Sequence, residues 1–275
     1  MPRGLALLIG LNKVDSKIFT SSLTAGAQSN EDNVWSMESL LNHVGFSCTS
    51  LLTCQATRAA IKKALADQAR LLSPGDLFVF YYTGHKFGLD DGVATDSLAV
   101  YDGMLAPADL QSIWQNIAAG VRIFSISDAC SSGSSFELPA SLRLDSASPV
   151  FHILAGGPPA ALVPLPAQMI HFGAAKQGTA TAGGLFTKAL LAVWSSGAFS
   201  GTYRTFFCAI LGEFMTKFSD GTAQYVPHGP VTTDFEDQQP FTIAAPQPSN
   251  PIVLVTDGII DPSQCSAAPD TPSEL

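Results

Sequence analysis

The chain has 275 residues, 46% of them hydrophobic, which is enough for one sizeable core, while its longest apolar runs fall short of a membrane span. A formal net charge of -9 and a pI of about 4.8, with no Lys/Arg cluster, argue against nucleic acid or an anionic membrane as partner and suit a basic side chain, a cationic partner or a divalent metal better. Five scattered cysteines without a CxxC pair point to a reducing compartment and no zinc site, and the N-terminus is too short in apolar residues for a signal peptide, so a cytoplasmic protein is expected.

Leu5 to Gly10 reads as a buried first strand, followed by a Ser/Thr/Gly-rich loop over 14–29. Asn30-Glu31-Asp32 supplies cap and first-turn acids for a helix with Val34, Met37, Leu40, Leu41 and Val44 at helical spacing, ended by Gly45. Phe46 to Leu52 is a second strand, and Thr57 caps a helix over 58–72. Ser73-Pro74-Gly75-Asp76 turns into the apolar run Leu77 to Tyr82, which ends in Thr83-Gly84-His85-Lys86. An acidic loop and a short extended piece, Ser97 to Tyr101, precede a helix opened by Pro107 and running to Ala119.

The next strand carries the chemistry: V-R-I-F-S-I-S-D-A-C-S-S-G-S, from Val121 to Ser134, is a buried run that stops at Asp128 with Cys130 two residues on. A histidine and a cysteine thus stand at the carboxyl ends of two buried strands, the edge where ligands gather in open parallel sheets. Residues 134–166 form a Pro/Ala/Ser/Gly linker; Gln168 to Ala174 is a fifth strand, and two helices follow over 185–194 and 202–218. Gln239 to Ile243 is expected as a short closing edge strand, and 244–275 as a Pro/Ser-rich tail. Alternating strands and helices indicate one α/β domain over 1–243.

The motifs Y-Y-T-G-H at 81–85, D-A-C-S-S-G at 128–133 and G-L-F-T-K-A-L-L at 184–191 resemble the caspase-like (C14) peptidases, on the side of the bacterial metacaspases or orthocaspases. L-A-L-L-I-G-L-N near the start, S-P-G-D-L-F-V-F before His85 and Q-Q-P-F-T-I near the end fit the same family, in its order. The resemblance implies a three-layer sandwich with a mostly parallel sheet of about six strands and helices on both faces. It implies an endopeptidase with His85 as base and Cys130 as nucleophile, which needs a basic neighbour because a free thiol is only a few per cent ionised at neutral pH. A lone cysteine is more often a small buried hydrophobe; here two strand ends and the motif set together favour chemistry.

The family's oxyanion hole would use the backbone N–H groups of Cys130 and of the residue after the histidine, Lys86 in place of the usual glycine. Its specificity for Arg or Lys at P1 would rest on Asp128 and on an acid opening the first helix. Asp32 is the candidate, although alignment from Leu40-Leu41 puts Asn33 at that place. Arg143, alone among basic residues in the linker, is the candidate for self-processing. No cofactor is implied beyond calcium as an activator, for which Asp90, Asp91 and Asp96 are weakly patterned candidates. Partners would be a protein substrate and an activating or inhibiting protein, in bacterial cell death or antiphage defence. The contrasting reading is a pseudoprotease or signalling adaptor, to which Lys86, Ser131 and Asn33 belong.

Overall fold

The computed structural model describes residues 1–19, 29–87, 97–132, 165–174, 184–217, 223–246 and 265, with 87 and 130–132 as backbone. Its elements in chain order are β1 (Gly4–Gly10), α1 (Asn30–His43), β2 (Ser47–Leu52), α2 (Arg58–Leu71), β3 (Leu77–Phe87), β4 (Ser97–Val100), β5 (Gly103–Leu105), α3 (Pro107–Trp114), β6 (Arg122–Ser132), β7 (Gln168–Gly173), α4 (Leu185–Trp194), α5 (Tyr203–Met215), β8 (Gln224–His228) and α6 (Thr233–Glu236). The sheet runs β2-β1-β3-β6-β7-β8, with β4 paired to the far end of β3 and β5 paired to β4. The first five strands of that order are mutually parallel, and β8 is antiparallel to β7. The order reverses between β1 and β3, which makes their carboxyl ends a crevice.

All seven residues of β1 are buried, as a central strand covered on both faces requires. Alternation then sorts the core into two. Leu5, Leu7 and Ile9 of β1, Phe78, Phe80 and Tyr82 of β3 and Ile123 of β6 pack with α2 and α3; Ala6, Leu8, Leu77, Val79, Tyr81, Phe124 and Ile126 pack with α1, α4 and α5. This is the expected helix–sheet–helix sandwich.

Helix α3 stops at Trp114 rather than Ala119, β3 and β6 continue as strand through His85 and Cys130, and three larger expectations change as well. Gln239–Ile243 is not a strand: Pro240 offers no N–H and Phe241 adopts φ +63°, so the segment is held through its carbonyls instead. The buried guanidinium of Arg122 donates to Thr242 O at 3.2 Å and Ile243 O at 2.7 Å, and also to Gly75 O at 2.9 Å and to the Gln238 side chain. The edge position belongs to β8, whose Pro227 is tolerable there. The third change concerns cysteines: Cys208 on α5 is bonded to Cys265, a pair 57 residues apart in sequence, and Cys265 packs on the α1/α4/α5 side of the core. Sequence distance hid that pairing; Cys48 and Cys54 are free thiols.

Candidate active site

Strands β3 and β6 are parallel neighbours in a register that sets Thr83 against Asp128, Gly84 against Ala129 and His85 against Cys130. The two sequence-derived candidates therefore occupy directly opposed positions on adjacent strands, about 4.8 Å apart in the pairing direction. His85 is half-buried, and desolvation lowers its imidazole pKa below the usual value, which keeps it neutral and able to accept a proton.

The backbone leading to His85 is braced. Tyr82, fully buried, places its hydroxyl 2.7 Å from His85 O and 2.7 Å from Ala99 O. Gly84 makes room for this, since a Cβ there would stand 2.5 Å from that hydroxyl.

Asp128 is 1% exposed. Its Oδ2 accepts the Thr187 N–H at 2.9 Å and the Thr187 hydroxyl at 2.6 Å, so the carboxyl sits on the first turn of α4, where helix amides favour negative charge. Burial nonetheless raises its pKa, against the lowering by the Thr187 hydrogen bonds and the nearby Gly184 N–H. Its Oδ1 has no hydrogen-bond partner. The Tyr81 hydroxyl, 2.7 Å from Thr187 Oγ1, extends the chain of contacts.

Helix α1 presents Asn33 to this region. Asn33 is 4% exposed, Nδ2 is unpartnered, and it lies 2.6 Å from where a Cβ on Gly184, at φ +81°, would be. Asp32 is exposed and points away from the inward stripe of Asn30, Asn33, Val34, Met37 and Leu41. The helical phase, with Asn33 three residues after Asn30 and four before Met37, is the signal that separates the two. Asn30 in turn anchors the helix start, its Nδ2 donating to Leu11 O at 2.6 Å and its Oδ1 accepting from the Thr83 hydroxyl at 3.0 Å.

Lys86 is paired on both sides, with Ser131 of β6 and Leu98 of β4. It is 3% exposed and near enough to His171 for its charge, after burial itself, to hold that imidazole well below its usual pKa. Lys86 is not among the described residues with positive φ, so this position asks for no glycine conformation. Arg143 and the acidic trio Asp90, Asp91 and Asp96 lie outside the described residues. Among the described residues no three His, Cys, Asp or Glu side chains are grouped to hold a metal.

Residues 5–139, which include both dyad candidates, match the metacaspase, peptidase C14 domain. Over that segment the chain is similar to the caspase-like C14 peptidases. Metacaspase-5 of Trypanosoma cruzi is 32% identical over 99 residues, and the chain spans only 22% of that protein's length. The crystal structure of protein GSU0716 from Geobacter sulfurreducens superposes with a TM-score of 0.72 at 27% identity, covering 88% of this chain and all of that one. Caspase-1 from Spodoptera frugiperda superposes with a TM-score of 0.54 at 16% identity, covering 79% of this chain and 80% of that one, a likeness of fold. Residues whose part sequence reasoning left unassigned are Tyr81, Tyr82 and Thr187; all stand inside quoted motifs, but their partners are 3 to 106 residues away in sequence.

Proposed function

We propose that the chain is a cysteine endopeptidase that cleaves protein substrates after arginine or lysine, with His85 and Cys130 as its dyad. The observation that carries this reading is the register pairing of His85 with Cys130 beside a buried carboxyl, Asp128, that keeps one oxygen unpartnered. The neutral imidazole takes the proton of the thiol, and the thiolate attacks the scissile carbonyl carbon. The tetrahedral oxyanion draws on backbone N–H groups at Cys130 and Lys86. The C–N bond then breaks as the imidazolium gives its proton to the leaving amine, and water hydrolyses the thioester. In the P1 pocket Asp128 Oδ1 would receive the basic side chain, with Asn33 rather than Asp32 as its neighbour.

The test is cleavage of fluorogenic peptides bearing Arg, Lys or Asp at P1 by wild type, Cys130→Ala and His85→Ala, with and without calcium. Turnover after Arg or Lys that vanishes in both variants is expected; turnover surviving in Cys130→Ala removes the assignment. Arg143 as a self-processing point is read in the same samples, from a Cys130-dependent break in the chain.

A second reading, an inactive partner-binding relative, is favoured by Lys86, whose position is paired with β6 on one side and β4 on the other, so that its N–H could serve an oxyanion only after a change in whichever ladder takes it up. Activation by a protein partner, as in cell-death or antiphage systems of bacteria, would supply such a change. As for location, among the described residues no helix is long and apolar enough to cross a membrane. The Cys208–Cys265 bond favours an oxidising setting over the cytoplasm, and a thiol count on protein isolated under non-reducing conditions decides between them.

A further inference from the structure

We infer that Tyr81 and Tyr82 are positioning residues that divide the site between them: Tyr82 sets the catalytic half through the backbone of His85, and Tyr81 sets the specificity half through Thr187 and Asp128. The inference rests on the peptidase reading and adds to it two groups that touch neither substrate nor the reacting atoms.

The two rings are neighbours in β3 and therefore lie on opposite faces of the sheet, Tyr82 with the α2/α3 core and Tyr81 with the α1/α4/α5 core. Both are fully buried. Two and four residues earlier on the Tyr82 face the strand uses Phe80 and Phe78, so the fold itself asks only for aromatic bulk. A buried hydroxyl costs free energy unless it is bonded, and each of these has found polar partners that belong to the site.

Tyr82 bears one proton and faces two carbonyl oxygens at 2.7 Å, those of His85 and Ala99. It thereby ties the end of β3 to β4 at the residue that carries the imidazole. Gly84 is the complementary feature, since the ring crosses the place its Cβ would take. On the other face the direction of the bonds is fixed by the carboxylate, which only accepts. The Thr187 hydroxyl donates to Asp128 Oδ2, so it must accept from Tyr81. Tyr81 thus orients Thr187, Thr187 occupies Oδ2, and Oδ1 is the oxygen left for a ligand.

The experiment compares Tyr82→Phe and Tyr81→Phe, each lacking a single oxygen, in the full chain. Steady-state kinetics on Arg and norleucine P1 peptides are combined with NMR of the His85 ring, assigned with His85→Gln, and of the Asp128 carboxyl carbon. Tyr82→Phe is expected to lower kcat about tenfold with KM little changed and to move the His85 titration. Tyr81→Phe is expected to leave kcat and the His85 signal in place, shift the Asp128 carboxyl resonance, and cut the Arg-over-norleucine ratio about tenfold through KM. If both variants lower all parameters alike in step with lost thermal stability, the division is wrong. An unmoved His85 titration in Tyr82→Phe, or an unmoved Asp128 resonance in Tyr81→Phe, overturns the inference whether or not any peptide is cut. Absence of Cys130-dependent cleavage in wild type removes the peptidase reading instead, and the two resonances still decide the positioning roles.

Discussion

The two ends of the central strand pair β3/β6 differ in how they treat buried polar groups. At the amino end Arg122 places its terminal nitrogens on three carbonyls and Gln238, leaving only Nε without a partner. Beside it Asp76 accepts from the backbone of Arg3 at 2.7 Å and of Ser73 at 2.9 Å. Despite the opposing cost of burial, the Arg3 and Ser73 bonds hold the Asp76 carboxyl below the usual range. At the carboxyl end, 1% and 4% exposed respectively, Asp128 and Asn33 each keep an atom without a partner. Unpartnered buried atoms are not confined to the carboxyl end, but only there do a carboxyl and an amide, Asp128 and Asn33, both keep one open among the groups compared. The difference separates the part of the sheet that carries stability from the part that carries the proposed chemistry.

The comparison breaks most readily at the amino end. Arg122→Met should leave the carbonyls of Gly75, Thr242 and Ile243 without their donor and free the segment after α6, at a cost of about 3–5 kcal/mol. Urea unfolding measures it, and a loss below 1 kcal/mol would mean that the clamp is not holding the chain end. Next, Cys265→Ser tests whether the carboxyl end borrows rigidity from the tail, because α5, which bears Cys208, also packs Phe214 on Phe186 at 5.8 Å, one residue before Thr187. Loss of a staple spanning 57 residues should lower stability by about 2–4 kcal/mol under non-reducing conditions, and by nothing when wild type is reduced as well.

Asp128→Asn should act in the opposite sense from Arg122→Met. The amide oxygen can still accept from Thr187, so the fold survives, while basic P1 peptides lose about 100-fold in kcat/KM. The pH sign follows from its raised pKa. Between the unfolded and folded values the native state binds more protons, so the acid's contribution to stability falls as pH rises. Removing the charge should therefore leave the melting temperature at neutral pH equal or higher, and a marked drop would place Asp128 among the stabilising groups. The smallest effect is expected for Lys86→Met. His171, kept neutral by burial first and by the charges of Lys86 and His228, costs stability as pH falls below the ordinary imidazole range near 6.5. With Lys86 neutralised that acid loss should be milder and the acid-unfolding midpoint should move to lower pH; an unchanged curve would exclude Lys86 as a contributor.

Much of this was legible from local pattern. Continuous apolar runs located β1, β3 and β6, and with them His85 and Cys130 near the carboxyl ends, although β3 runs on to Phe87 and β6 to Ser132, past the turns expected to end them. Periodicity fixed α4 at both ends and α2 to within a residue, with Thr57 capping the latter through its side chain. Where the expectation slipped, the deciding contact was remote. Gln239–Ile243 has a strand's composition but is claimed by Arg122, more than 115 residues earlier. β8 has a proline and little apolar character of its own, and exists because β7 offers it an edge.

The site divides in the same way. Sequence by itself determined the residue types, their place towards strand ends, and the family that the chain resembles, since these depend on side-chain alternation and short motifs. Tertiary structure alone decided that Lys86 lies buried beside His171, that Cys208 finds Cys265, and which polar partners the two adjacent tyrosines meet. Those outcomes depend on register, helix phase and which oxygen a single proton reaches, quantities that are set only when the layers close on one another.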